Sequence, residues 1–208
     1  SAFNNESSKT FPRMVDGCPN FYFNQIEDLS KQVDKYRTLD GSRYYFPWNE
    51  DGINIFNKVN YFWRNIRILS GHNPYSYENN IPSDKVINRI HIIQYYSGGG
   101  TISPHYDPHV HQYIQIGCVL NEYGKDFQEG GFCAFDEKDN PVFLEPELKK
   151  GSLFCFFPSM FHTVNPVDPN ENLDVNSSEG RWFMSIVSSS SGLDRNRITA
   201  LPMHISGN

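Results

Sequence analysis

Three side chains of the sequence have the types and the spacing of a metal site. His105 and Asp107 stand two residues apart, and in an extended strand residues at that spacing point to the same face. His162 follows the apolar run 153–157 and the turn Pro158-Ser159. Two imidazoles and one carboxylate on one face of an ion leave other coordination positions open, as in non-haem iron(II) centres. The residues therefore predict a mononuclear metal site formed by His105, Asp107 and His162.

The segments around these residues occur in a definite order along the chain. They are Tyr-Tyr-Ser-Gly-Gly-Gly-Thr-Ile-Ser-Pro-His-Tyr-Asp at 95–107, Glu-Gly-Gly-Phe-Cys-Ala-Phe at 129–135, Lys-Gly-Ser-Leu-Phe-Cys-Phe-Phe at 150–157, His-Thr-Val-Asn-Pro-Val at 162–167 and Gly-Arg-Trp-Phe at 180–183. In this order they resemble the prolyl-4-hydroxylase-like branch of the Fe(II)- and 2-oxoglutarate-dependent oxygenases, over roughly half of the chain. The resemblance implies iron(II) as the metal, with 2-oxoglutarate and O₂ as co-substrates, and a double-stranded β-helix (jelly-roll) fold.

Members of this family use a basic residue to bind the distal carboxylate of 2-oxoglutarate, and Arg181 is the best candidate here. A planar guanidinium can donate two parallel hydrogen bonds to a carboxylate. On a strand Ser185 shares a face with Arg181, so its hydroxyl is a further candidate ligand. The alternative interpretation makes Arg181 a surface residue that pairs with Glu179.

Two adjacent tyrosines are also candidates for contact with the co-substrate. Tyr95 and Tyr96 point to opposite faces of a regular strand, so we expect one to contact 2-oxoglutarate and the other to lie in the core. Gln94 and Tyr113 are alternatives for the same role.

The resemblance implies a dioxygenase that oxidises a prime substrate and releases succinate and CO₂. Related halogenases carry a small residue at the position of Asp107, so the carboxylate favours hydroxylation. The compact chain favours a small molecule such as an amino acid or another metabolite, and a peptidyl (prolyl-type) hydroxylase is the alternative. A cupin-like metalloenzyme that does not use 2-oxoglutarate and a non-catalytic jelly-roll binding module are the rival classes. The residues that we consider for substrate contact are Tyr44–Trp48, Arg64, Arg67, His109, His111 and the loop 165–180.

Composition and charge restrict the partners and the location. The formal charge of −6, with no Lys/Arg-rich run, argues against nucleic acid, since phosphate binding needs a clustered positive field. No apolar stretch reaches the length of a membrane span, so we expect no membrane partner. The four cysteines lie far apart, which favours buried free thiols and a reducing, cytoplasmic location. The sequence carries no prediction of the oligomeric state.

The pattern of apolar residues predicts one mainly β (α+β) domain over 1–208, a β-sandwich or a double-sheet jelly roll with N-terminal helices packed outside, and the resemblance implies the jelly roll. We expect a flexible segment at 1–20, helical elements at 21–85, the catalytic jelly roll at 86–190 and a tail at 191–208. Apolar residues at helical spacing predict helices at Phe23–Tyr36 and Ile53–Leu69, the second ending at Gly71. Runs of β-branched and aromatic residues between turn signals predict strands at 86–96, 112–120, 131–136, 141–144, 152–157 and 181–188.

Overall fold

Two antiparallel sheets form the protein. The computed structural model describes Met14, 22–24 and 37–191, and in this part of the chain eleven strands belong to the two sheets. The larger, which we call the major sheet, contains in spatial order β1 (Tyr22–Asn24), β3 (Gly41–Tyr45), β4 (Val86–Tyr96), β11 (Gly180–Ser190), β6 (Gln115–Val119) and β9 (Leu153–Phe156). The minor sheet contains β2 (Thr38–Leu39), β5 (Gly100–His105), β10 (His162–Val167), β7 (Gly131–Phe135) and β8 (Pro141–Phe143).

The one α-helix in the described residues, α1 (Ile55–Leu69), covers the outer face of the major sheet. The carboxylate of Asp51 accepts the backbone N–H groups of Ile55 and Phe56, at 2.8 and 2.9 Å, and so caps the first turn. Trp63 of the helix is 1% exposed and packs with apolar side chains of β4 and β11. Burial of such a side chain stabilises the fold by about 2–3 kcal/mol. The helix ends before Gly71, whose φ of +75° lies in the left-handed region that glycine tolerates.

The central strands β4 and β11 pair over their full lengths and carry different residues on their two faces. Because side chains alternate along a strand, Ile90 and Ile92 face α1, while Ile93 and Phe183 belong to a second apolar cluster that lies between the two sheets. This alternation gives the space between the sheets an apolar lining interrupted by a few polar side chains.

The structure confirms a mainly β fold with two antiparallel sheets, and it differs from the prediction at the N-terminal side. Of the helix expected at Phe23–Tyr36, Phe23 and Asn24 belong to β1 and pair with β3, and residues 25–36 lie outside the described part. The segment 21–85 contributes strands β1 to β3 as well as α1. The expected flexible segment 1–20 and tail 191–208 lie outside the described residues except for Met14 and Ser191.

Each strand predicted from 86 onward is present, with bounds that differ by a few residues at most. No strand is predicted at 100–105 or 162–167, where β5 and β10 form. Of the helices in the described residues, none has the length and the apolar character needed to cross a bilayer.

The three described cysteines are free thiols in different environments. Cys133 is buried, Cys118 is half-buried and Cys155 is exposed on β9. The expectation of buried thiols therefore holds for Cys133 and is wrong for Cys155, because β9 is the last strand of the major sheet and its outward side chains are uncovered. Cys18 lies outside the described residues.

Candidate metal centre and adjoining cavity

The predicted triad assembles where two neighbouring strands of the minor sheet meet. His105 ends β5, His162 begins β10, and the two residues are direct partners in the antiparallel ladder. Asp107 lies just beyond β5, where its backbone N–H donates to the carbonyl of Pro158 at 2.9 Å. Its carboxylate oxygens lie 3.6 Å from Nε2 of His105 and 3.5 Å from Nε2 of His162. All three ligand atoms lie within 4.8 Å of one another, close enough to bind one ion.

The second nitrogen of each imidazole is held by the backbone. Nδ1 of His105 lies 2.8 Å from the carbonyl oxygen of Ser103, and Nδ1 of His162 lies 2.8 Å from that of Met160. Because a carbonyl oxygen only accepts, each Nδ1 carries the hydrogen, and in the neutral ring Nε2 holds the lone pair toward Asp107. An oriented imidazole with a hydrogen-bonded outer nitrogen is the usual state of a metal-binding histidine. The triad therefore fits a divalent metal ion.

The electrostatics of the triad favour opposite charges on its members when no metal competes. Burial alone raises the pKa of Asp107, but hydrogen-bonding contact with His105 and His162 holds it far below its usual range. Burial lowers the pKa of His162, but the Asp107 carboxylate outweighs this effect and raises it above its ordinary value. Because a metal ion binds the neutral imidazole, the raised pKa of His162 means that metal binding weakens as pH falls.

A cavity of about 250 Å³ lies between the two sheets, and the triad forms part of its wall. Phe156 and Phe132 pack against the ring of His162, with centroids 5.0 and 5.7 Å away, and both also line the cavity. These rings limit the access of water to His162. We call the part of the cavity beside Arg181 and Tyr95 its inner end.

Arg181 lies at the inner end and is only 2% exposed. Its Nε donates to Oε1 of Glu145, a carboxylate that is itself 1% exposed. Within the described residues its terminal nitrogens donate to no other group, and the guanidinium carbon lies 5.0 Å from the ring centroid of Phe183. Arg181 is thus not the surface residue paired with Glu179 of the alternative interpretation, since β11 carries it inward.

Glu145 is a residue of this site that the sequence did not predict. It lies in a short 3-10 turn, Glu145–Glu147, and its Oε1 also accepts the backbone N–H of Phe132 at 2.8 Å. Gly131 makes room for it, because a Cβ there would lie 2.2 Å from Cγ of Glu145, and its φ of +109° disfavours any other residue. In the sequence, Gly131 of the Glu-Gly-Gly turn is the one signal that a side chain packs closely against the backbone at this position.

The two predicted tyrosines point to opposite faces, as expected. Tyr95 is buried, lines the cavity and pairs across the sheet with Arg181. Tyr96 points away from the cavity, and its hydroxyl lies where a Cβ of Gly41 would be, at 2.1 Å. Of the two, the structure therefore brings only Tyr95 to the inner end.

Of the remaining residues predicted to contact the co-substrate, one lines the cavity and two do not. Ser185 lines the cavity, and its hydroxyl accepts a hydrogen bond from Nε2 of Gln115 at 3.0 Å. Tyr113 lies outside the lining, 49% exposed and stacked on His72 with the centroids 5.4 Å apart. Gln94 donates to two backbone carbonyls of the loop before β11 and also lies outside the lining. The structure thus places Ser185 in the wall of the cavity that the triad also lines, and does not bring Tyr113 or Gln94 to that cavity.

Of the residues considered for substrate contact, Tyr44 and His111 line the cavity. Arg64 and Arg67 lie on α1 and pair with Glu78, outside the described lining. His109 is also outside it.

The comparisons with known proteins identify the fold. No family model and no curated protein matches the chain. A prolyl-4-hydroxylase of Pseudomonas putida is similar in structure, with 14% identity, a TM-score of 0.53, and coverage of 79% of this chain and 75% of that one. A 2OG-Fe(II) oxygenase family protein of Caulobacter crescentus gives 12% identity and a TM-score of 0.50, over 91% of this chain and 70% of its own. The chain therefore has the fold of the 2-oxoglutarate- and iron(II)-dependent oxygenases, in the form found in a prolyl-4-hydroxylase.

Proposed function

We propose that the chain is an Fe(II)- and 2-oxoglutarate-dependent dioxygenase that hydroxylates a small molecule, such as an amino acid or another metabolite, and releases succinate and CO₂. The observation that carries the proposal is the triad, in which two imidazole nitrogens and a carboxylate lie close together in the wall of the cavity between the two sheets. Its backbone-held imidazoles present Nε2 as required for metal binding.

His105, Asp107 and His162 would hold the iron(II) ion on one face and leave positions open for the keto acid and O₂. When bound, iron supplies the activation of O₂, with 2-oxoglutarate as the source of two electrons. Since the Asp107 carboxylate would take one coordination position of the ion, it supports hydroxylation over halogenation.

The inner end suits the distal carboxylate of 2-oxoglutarate. Arg181 is buried, lines the cavity and keeps its terminal nitrogens for a ligand, while Nε is fixed by Glu145. A guanidinium in this state can bind a carboxylate with two parallel hydrogen bonds. Tyr95, its neighbour across the sheet, lines the cavity at the same end, and Ser185 lies further along β11.

The size of the cavity supports a small substrate. About 250 Å³ is below the range of most ligand pockets, and the co-substrate would take part of that volume. The remaining space suits one small molecule or one small group.

Anaerobic titration of the iron(II)-loaded protein with 2-oxoglutarate tests the proposal. We expect the weak visible charge-transfer band of the iron–keto acid chelate, and its loss in His105→Ala, with circular dichroism as the check on folding. Arg181→Ala should bind iron but show the band only at much higher 2-oxoglutarate. Iron binding without a band in the natural chain would instead support a cupin-like enzyme, and absence of iron binding would refute the proposed function.

A further inference from the structure

A glutamine in the cavity wall has an amide oxygen without a partner. Gln115 belongs to β6, lines the cavity and is 9% exposed. Its Nε2 donates to the hydroxyl of Ser185 at 3.0 Å, and among the described residues nothing donates to its Oε1. A polar group in a mostly enclosed site costs free energy unless it is hydrogen-bonded. The oxygen is therefore a candidate acceptor for a bound molecule.

Apolar side chains flank Gln115 in the same wall. Phe156 is its direct partner in the ladder between β6 and β9. Two positions along β6, Gly117 leaves room for the ring of Phe183, which a Cβ at Gly117 would meet at 2.1 Å. Both phenylalanines line the cavity, and neither side chain has a hydrogen-bond donor. The surrounding wall therefore leaves Oε1 of Gln115 to a ligand.

The same contacts link Gln115 to the triad. The ring of Phe156 packs against the ring of His162, with the centroids 5.0 Å apart. Directly opposite residues in an antiparallel pair have Cβ atoms about 4.5–5.5 Å apart, so Phe156 bridges Gln115 and His162. A molecule that donates to Oε1 therefore lies beside the metal site.

The hydrogen-bonding capacity of 2-oxoglutarate excludes it as the partner of Oε1. At neutral pH it carries two ionised carboxylates and a keto oxygen, which accept hydrogen bonds and donate none. O₂ has no hydrogen to donate either. The hydroxyl of Ser185 differs, because it accepts from Gln115 and keeps its own hydrogen for an acceptor such as 2-oxoglutarate. Of the reactants, the prime substrate is the one that can donate to Oε1.

We infer that the prime substrate carries an N–H or O–H group and donates it to Oε1 of Gln115, which holds the substrate beside the triad. A neutral donor suits this place better than an ammonium group, because the amide oxygen brings no charge to replace the lost hydration. The inference rests on the proposed function and names its substrate class, a small molecule with an amide or hydroxyl group near the carbon that is oxidised.

Matched pairs of small molecules test it in the natural chain. The iron(II)-loaded protein, saturated with 2-oxoglutarate, is offered a panel of small amides and alcohols, each beside the analogue that has a methyl group in place of NH₂ or OH. Succinate formation and the change in the visible chelate band on anaerobic addition are measured. We expect some amides or alcohols to accelerate succinate formation and to perturb the band. Their methyl analogues should have a kcat/KM about tenfold lower, as expected for the loss of one hydrogen bond.

Variants then locate the acceptor. Gln115→Met keeps the length of the side chain and removes the amide, so the preference for the donor compound over its methyl analogue should fall from about tenfold to about one, while the iron–2-oxoglutarate band still forms. A purely structural role of Gln115 would lower activity toward both compounds and leave their ratio unchanged. Gln128→Met makes the same change at an exposed position outside the described lining, and the preference should stay as in the natural chain.

Three results would overturn the inference: equal responses to the donor compounds and their methyl analogues, no response to any of them, or a preference that survives in Gln115→Met. Absence of the iron–2-oxoglutarate band in the natural chain would instead refute the proposed function, and this substrate class with it. The two failures are therefore distinguishable, because the band is measured before any panel member is added.

Discussion

Two arginine–glutamate pairs of this protein look alike by burial and differ in whether the arginine faces the cavity. Arg67 is 4% exposed, donates to Glu78 at 3.0 Å and packs on Trp63 with its guanidinium carbon 4.4 Å from the ring. Arg181 is 2% exposed, donates to Glu145 and packs on Phe183 at 5.0 Å.

Within the described part of the chain, both arginines have nitrogens without a hydrogen-bond partner, Nε and Nη2 in Arg67 and the terminal nitrogens in Arg181, so the difference lies in what these nitrogens face. Nη1 of Arg67 also donates to the carbonyl of Pro74 at 2.8 Å, and the side chain lies between α1 and the segment after it, away from the cavity. Arg181 gives only Nε to Glu145 and lines the cavity. Burial and a hydrogen bond to a glutamate therefore do not identify an arginine as ligand-binding. Nitrogens without a hydrogen-bond partner that face the cavity do.

Arg181→Ala should have the largest effect of any change to these pairs. The affinity for 2-oxoglutarate should fall by about 100-fold or more, because one partner of an enclosed charge pair is removed. Glu145 also loses its partner in the interior, so the free energy of unfolding should fall by about 3–5 kcal/mol. Titration of the chelate band and thermal unfolding measure the two effects. Arg181→Lys keeps the charge without the two-pronged geometry, and full affinity in that variant would contradict a two-bond grip on the carboxylate.

Arg67→Ala should destabilise the fold without changing the site. Glu78 loses one of its two arginine partners, and the free energy of unfolding should fall by about 3 kcal/mol, equivalent to a drop in Tm of roughly 6–12 °C. The affinity for 2-oxoglutarate, measured below the unfolding transition, should stay within about twofold of the natural chain, because Arg67 lies outside the cavity lining. A large loss of affinity would show that α1 and the inner end are coupled, and the comparison would fail.

Glu145 should act as a positioning residue. Glu145→Ala removes the acceptor that orients Nε of Arg181, and we expect KM for 2-oxoglutarate to rise by about tenfold, corresponding to one hydrogen bond to a charged group. Glu145→Gln keeps an oxygen acceptor for both Arg181 and the backbone of Phe132, so it should recover most of that loss. Equal KM values in the two variants would mean that charge, and not orientation, is the contribution of Glu145.

Acid should remove the contribution of Glu78 and its arginine partners to the stability of the fold. Burial alone raises the pKa of Glu78, but hydrogen bonds from Arg64 and Arg67 lower it below its usual value. Because the pKa is depressed in the folded state, the contribution of Glu78 to stability is present above the unfolded value of about 4.3 and is lost as pH falls through the folded pKa. The difference in Tm between the natural chain and Glu78→Gln should therefore shrink below about pH 4. A Tm difference that grows on acidification would contradict a lowered pKa of Glu78 in the folded state.

The triad and Arg181 were predictable from sequence because their signals are local. His105 and Asp107 share a face through a spacing of two, and the surrounding segments occur in the order of the family they resemble. Glu145 was not predictable, because it lies 36 positions from Arg181 in a polar Glu-Pro-Glu turn that reads as surface. Its burial, at 1% exposed, is visible only in the structure, where Gly131 packs against it.

Strand predictions failed at the strands that carry the two histidines. β5 contains Pro104 and β10 contains Pro166, and proline is unusual inside strands because it cannot donate to the ladder. The placement of Tyr113 also depends on a boundary that the sequence does not define. β6 begins at Gln115, so Tyr113 lies in the preceding turn and packs on His72.

The way in which the two imidazoles are oriented bears on how far the sequence can drift without loss of the metal site. In many metal centres a side-chain carboxylate orients the ligand, and its mutation typically lowers metal affinity about 10–100-fold. Here the acceptors are the backbone carbonyls of Ser103 and Met160, which every amino acid supplies. Substitutions at 103 and 160 that keep the path of the backbone should therefore be silent in metal binding, so the fold itself, more than any neighbouring side chain, preserves the geometry of the two histidines.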